Sequence, residues 1–322
     1  MASNNTTQTA MVLFKDGYDI PLYGLDNGMF YYVHVTSIVC LTVSLICALS
    51  TITSSFWSHL AGEFYTGWTK GERLAVYLSI CDFFLNISLL MNHLPILITK
   101  THTSPKELCS FFGFIMTEFM LAQILMVNVV AINIFTTMFF GTNYSFGKFD
   151  SGILLWSFGV PFIGACFFDA VNGKVASLVL ITIPITAIMV VNVLLYILTF
   201  IKIRIDVRAM KQRLGNIAST AGSHIRAARN MSMFVVAFFV QWSSIALSGV
   251  WLMFADDITD IPEGLKIILG IFTNLGGVLN LIVYLAVFRK TRPMSNMATS
   301  MEPPNSHTVS DNNKKPANSS VQ

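Results

Sequence analysis

The sequence predicts an all-α protein: a seven-transmembrane helix bundle with an extracellular N-terminus and a cytoplasmic C-terminus. Three observations predict it. The chain of 322 residues is 54% hydrophobic and only 11% charged, whereas a soluble domain carries about 25% charged residues. Its apolar residues gather into seven runs near the ~20 residues that a helix needs to cross ~30 Å of hydrocarbon. Its basic residues fall mostly in one alternate set of the segments between those runs, as retention of Lys and Arg on the cytoplasmic side requires.

The runs lie near residues 30–54, 74–98, 110–140, 152–168, 175–201, 231–254 and 264–288. Asp82 and Glu118 are the acidic residues well inside them. With the N-terminus outside, fifteen of the 20 Lys and Arg are cytoplasmic, from Lys70 and Arg73 through the Lys202–Arg229 stretch to Lys315. Lys15, Lys100, Lys106, Lys174 and Lys266 remain outside, among nine acidic residues that include Asp256, Asp257, Asp260 and Glu263. The chain therefore divides into an extracellular segment 1–29, a seven-transmembrane domain 30–290 and a cytoplasmic tail 291–322.

The first segment has no basic stretch, apolar core and small-residue cleavage site in series, so the first apolar run serves as the targeting signal. Asn4 and Asn5 begin Asn-x-Thr sequons on the lumenal side and are the candidate glycosylation sites. Asn86, within a span, and Asn143, in a cytoplasmic loop, match the same pattern where it cannot be used. The tail is rich in Ser, Thr, Asn and Pro and poor in aromatics, a composition of disordered chain that is either open to phosphorylation or simply a solvated tail. A net charge of +3 gives no support to nucleic-acid binding. Five cysteines without a Cys-x-x-Cys pair or a His cluster give none to a metal site, and no cofactor is expected. No nucleophile, base and orienting group can be assembled, so an enzyme is the least favoured class.

Local motifs in the right order choose among seven-helix proteins. The second run reads Leu78-Ser79-Ile80-Cys81-Asp82-Phe83, Cys109 opens the third, and Asn133-Ile134-Phe135 follows about 25 residues later. Trp156 lies in the fourth run, Phe238 and Trp242 are spaced F-x-x-x-W in the sixth, and the seventh reads Asn280-Leu281-Ile282-Val283-Tyr284. Over residues 74–290 this series resembles the rhodopsin-like (class A) G-protein-coupled receptors. The phrases Trp68-Thr69-Lys70-Gly71-Glu72-Arg73 and Val130-Ala131-Ile132-Asn133 look like those of divergent invertebrate orphan receptors. Gly159-x-Pro161 and the Gly277–Asn280 pattern carry a secondary resemblance to cyclic-AMP-receptor-like proteins. The departures are specific: Ile134 stands where the family's D-R-Y motif has arginine, and the prolines of the sixth and seventh spans are missing.

The resemblance implies a plasma-membrane receptor whose partners are an extracellular ligand, peptide or small molecule, a heterotrimeric G protein, arrestin and the lipid bilayer. It implies a sodium ion at Asp82 with Gln123 and Asn280 beside it and Trp242 nearby. It implies a ligand pocket formed by Asn92, His93, Met116, Thr117, Met120, Trp242, Ile245, Gly249, Gly270, Thr273 and Asn274. Switch residues would be Asn133, Ile134, Phe135, Trp242 and Tyr284, and a disulfide would join Cys109 to Cys166. In the alternative to that bridge, Cys166 stays reduced in a short tilted helix.

A charged residue in a span costs several kcal/mol unless it is paired, hydrated or protonated, which makes Asp82 the foremost functional candidate beside a neutral, hydrogen-bonded structural role. Glu118 stands equally between facing ligand and bonding across a helix interface. Met116 occupies the place of the amine receptors' Asp, which disfavours a salt-bridged monoamine. Asn274 occupies that of the retinal lysine, which disfavours an opsin or a light-driven pump. The acidic residues before the last run would attract a cationic ligand. Two rival readings stay open. In one the chain is a transporter or channel with Asp82 and Glu118 along the path, against which stand an odd span count and no inverted repeat. In the other it is a receptor-fold protein that no longer signals.

Overall fold

The computed structural model describes residues 22–25, 27–58, 63–142, 145–164, 183–213, 219–254 and 262–287. Regular structure among them is helical. Helix α1 spans Phe30–Ser58, α2 Lys70–Thr99, α3 Lys106–Phe140, α4 Ser151–Gly164, α5 Ile183–Arg213, α6 Ser219–Phe254, α7 Glu263–Thr273 and α8 Gly276–Val287.

Helices α1, α2, α3, α5 and α6 each contain a stretch long and apolar enough to cross a membrane. Helices α7 and α8 together make one further span, bent by 47°. The first six runs correspond to α1–α6, and the seventh, expected as a single helix, is broken. Asn274 caps α7, its N–H donating to the carbonyls of Ile271 and Phe272, and Gly276-Gly277 opens α8. Hydropathy does not register such a break, because both halves remain apolar. Helix α4 begins where its run does. The rest of that run, and the start expected for the fifth near residue 175, lie outside the described residues, as do Asn4, Asn5, Cys166 and the tail.

Helix α3 runs through the centre, against α2, α4, α5 and α6. Helix α1 packs on α2, α7 and α8, and α6 packs on α5, α7 and α8, which closes the ring. The apolar core joins Leu78 and Leu85 of α2, Ile124, Met126, Val127 and Val130 of α3, Ile185 and Met189 of α5, Phe234, Phe238 and Trp242 of α6, and Val283 and Tyr284 of α8. The outer faces are apolar as well: Val39, Val43 and Ile46 of α1 and Val190, Leu194 and Ile197 of α5 are exposed. Apolar surface on that scale requires lipid rather than water around it, and the chain is a multi-pass membrane protein.

The segment before α2 shows how local sequence sets a boundary. Thr69 is the N-cap: its Oγ1 accepts from the Glu72 N–H (3.3 Å) and its own N–H donates to Glu72 Oε2 (2.9 Å). This reciprocal box satisfies two donors that the first turn leaves free and starts α2 at Lys70, ahead of the apolar run. Lys100, in the left-handed conformation at φ 55°, closes the helix.

Candidate functional site

Asp82 lies midway along α2, 1% exposed, and both carboxylate oxygens are engaged. Gln123 of α3 donates Nε2–H to Oδ1 at 2.9 Å, and Asn280 of α8 donates Nδ2–H to Oδ2 at 2.5 Å. Gln241 of α6 extends the cluster, its Nε2 donating to Gln123 Oε1 (3.3 Å) and to the Thr273 carbonyl (3.4 Å). That carbonyl belongs to the last residue of α7, so the amide of Gln241 reaches the break in the seventh span. Four helices and the break thus meet in one buried polar cluster. Gly276 makes the approach possible, since a Cβ there would overlap Asp82 Oδ1 and the Gln241 amide.

A second polar junction lies beside it. Ser44 of α1 accepts at Oγ from the Gly277 N–H (2.8 Å) and from Asn86 Nδ2 (3.2 Å), which joins α1, α2 and α8. A Cβ on Gly277 would overlap the Ser44 carbonyl, so α1 and α8 touch backbone to backbone here.

The structure therefore brings together the three residues expected around an ion, Asp82, Gln123 and Asn280. Trp242, expected nearby, is wholly buried in the apolar core, and its Nε1 has no hydrogen-bond partner. Its neighbour Gln241 is the residue that joins the cluster, unsuspected because an uncharged amide in an apolar run gives a weak signal. A carboxylate has only acceptors, and the amides of Gln123 and Asn280 turn hydrogen-bearing faces toward it.

The residues expected around a ligand make individual contacts within the bundle. Asn92 accepts from Thr103 Oγ1 (2.8 Å). His93 and His34 of α1 meet in a hydrogen bond of 2.8 Å between their Nδ1 atoms, the tautomers deciding which ring donates. Thr117 bonds back to the Gly113 carbonyl, Met116, Met120 and Ile245 pack on the core, and Gly249 and Asn274 are buried. Gly270 faces Ser37, and Thr273 contributes its carbonyl to the polar cluster while its Oγ1 is buried without a partner. Glu118 is 7% exposed, and its Oε2 likewise has no hydrogen-bond partner. An apolar groove of about 380 Å³ lies elsewhere, between α5 and α6, with Met189, Val193, Phe239 and Ala246 in its walls. None of the expected ligand residues lines it.

At the cytoplasmic end, Asn133 and Ile134 are buried, Ile134 within the apolar core, and Phe135 stacks on Phe139 at 4.5 Å. Tyr284 is buried in the same core. Charge is organised nearby by other residues. Arg73 grips Asp150 through Nε (2.6 Å) and Nη2 (3.1 Å) and donates Nη1–H to the Trp68 carbonyl (2.8 Å). Tyr77 donates to Asp150 Oδ2 at 3.0 Å. This buried clamp fastens the start of α2 to the turn Lys148–Asp150 ahead of α4, where Phe149 and Asp150 take left-handed φ of 58° and 55°. Trp156, expected from the resemblance to stand at the fourth span's tryptophan position, is half exposed on α4. Cys109 sits in the first turn of α3, and its expected bonding partner lies outside the described residues.

No family model and no curated protein sequence matches the chain. Its structure is similar to the crystal structure of squid rhodopsin, with a TM-score of 0.60 and 13% identity over 85% of this chain and 86% of that one. At such identity the likeness speaks for the fold alone: this chain has a rhodopsin-like seven-helix fold.

Proposed function

We propose that the chain is a plasma-membrane receptor of the G-protein-coupled type. An extracellular peptide or small molecule shifts the population between two packings of the bundle, and the cytoplasmic face reports the shift to a heterotrimeric G protein. The observation that carries this reading is the buried cluster at Asp82. A carboxylate held by side chains from α3 and α8, with α6 one bond further on, makes the relative positions of four helices interdependent. A change at the outer ends of α6 and α7 must be accommodated at Gln241 and Thr273, and hence along the inner halves of α3 and α8.

The test is G-protein activation in cells expressing the chain, with and without a ligand library, with ion flux recorded in parallel. Activation without flux is expected. Asp82→Asn should alter the basal or evoked signal while the protein still reaches the surface, because it changes the charge of the cluster and keeps its shape. Flux without activation would instead show a transporter or channel.

The second reading, a receptor fold that has stopped signalling, is favoured by Ile134. An apolar side chain, 5% exposed, stands where the family presents its arginine to the G protein. Absence of both signals, with the protein demonstrably at the surface, would decide for it.

A further inference from the structure

We infer that the Asp82 carboxylate is held by a closed bracket of carboxamides, and that the bundle core of this chain takes no sodium ion. Each member of the bracket is nine-tenths or more buried: Asp82 is 1% exposed, Gln123 2%, Gln241 3% and Asn280 5%. Gln123 covers one carboxylate oxygen and Asn280 the other. Gln123 is held from behind, because its own oxygen accepts from Gln241, which also donates to the Thr273 carbonyl. On the α8 side the backbone of Gly276 lies directly against the carboxylate and the Gln241 amide, where not even a methyl group fits.

A hard cation is bound by oxygens on several sides. To offer one here, Gln123 would have to turn its amide over. That motion withdraws the donor from Asp82 and simultaneously removes the acceptor from Gln241, so a cation's entry disrupts two buried hydrogen bonds to create one ligand. The N–H groups already give the carboxylate what a cation would give it, stabilisation of its charge. They are built into two different helices, α3 and α8, and cannot dissociate. The consequence is a core whose polar cluster is independent of ionic composition.

The test uses the full chain, purified in lipid nanodiscs, and reads its thermal unfolding midpoint while N-methylglucamine chloride replaces sodium chloride at constant ionic strength. The expected midpoint is the same in both salts to within about 1 °C. A saturable, sodium-specific rise of about 3 °C or more, the size expected of a ligand present at ten times its Kd, would overturn the inference. Gln123→Ala removes one donor and opens space beside Oδ1, and this variant should gain a sodium-dependent rise that the parent lacks. If it folds and gains none, the place assigned to Gln123 is wrong; if it does not fold, the measurement on the parent decides. Because the readout is stability, the inference stands or falls independently of coupling to a G protein.

Discussion

Among the described residues Arg73 and Asp150 form a buried charged pair, with side chains 11% and 5% exposed. A pair removed from water in this way is weak evidence for net stabilisation, but breaking it leaves an uncompensated charge, at a cost of about 3–5 kcal/mol. Asp150→Asn should therefore lower the unfolding midpoint sharply, while Arg73→Met with Asp150→Leu should cost less than the single change. A thermal series on the two variants checks both. Legibility at this scale followed charge. Asp82 was visible in the sequence because a carboxylate in an apolar run is conspicuous, and Asn280 because it falls in a recognisable motif. Gln241 was invisible because neutral amides occur in spans without consequence, and what makes this one matter is the Thr273 carbonyl, 32 residues away, brought within 3.4 Å. Arg73 read only as a cytoplasmic charge, since its partner 77 positions later is set by the path of the chain after α3.

Close contact between elements depends on two adjacent glycines. Gly277 lets α8 meet α1 backbone to backbone at Ser44. Gly277→Ala should push the two helices apart at a cost of about 1–3 kcal/mol, the usual penalty of overpacking, and appear as a lower midpoint and reduced surface expression. At the other end of the scale, Thr69→Ala removes one side of the capping box and should cost about 1 kcal/mol, measurable in the same assay. Helix positions were readable from apolar length alone. Helix ends were not all so: α2 starts at its cap rather than at its first apolar residue, whereas α5 continues to Arg213 beyond its apolar run, as the alternation of basic and apolar residues after Lys202 leads one to expect of a helix that runs on past the hydrocarbon. The break at 274–275 eluded the hydropathy pattern for the opposite reason, since it lies within apolar sequence.

For the molecule as a whole, the basic residues fix the orientation. An epitope at the N-terminus should be labelled on intact cells and one at the C-terminus only after permeabilisation; the reverse pattern would refute the assignment. The sequence by itself determined that this chain lives in lipid, crosses it as helices and orients itself by Lys and Arg, because those properties depend on sums over composition and length. It also singled out Asp82, whose burial cost is local. Only the tertiary structure decided what holds that carboxylate. Hydrogen bonds have direction and a reach of about 3 Å, so whether Gln123 and Asn280 present oxygens to an ion or N–H groups to the carboxylate depends on how three further helices are placed. The same dependence on placement gave Gln241 its role and paired Arg73 with Asp150.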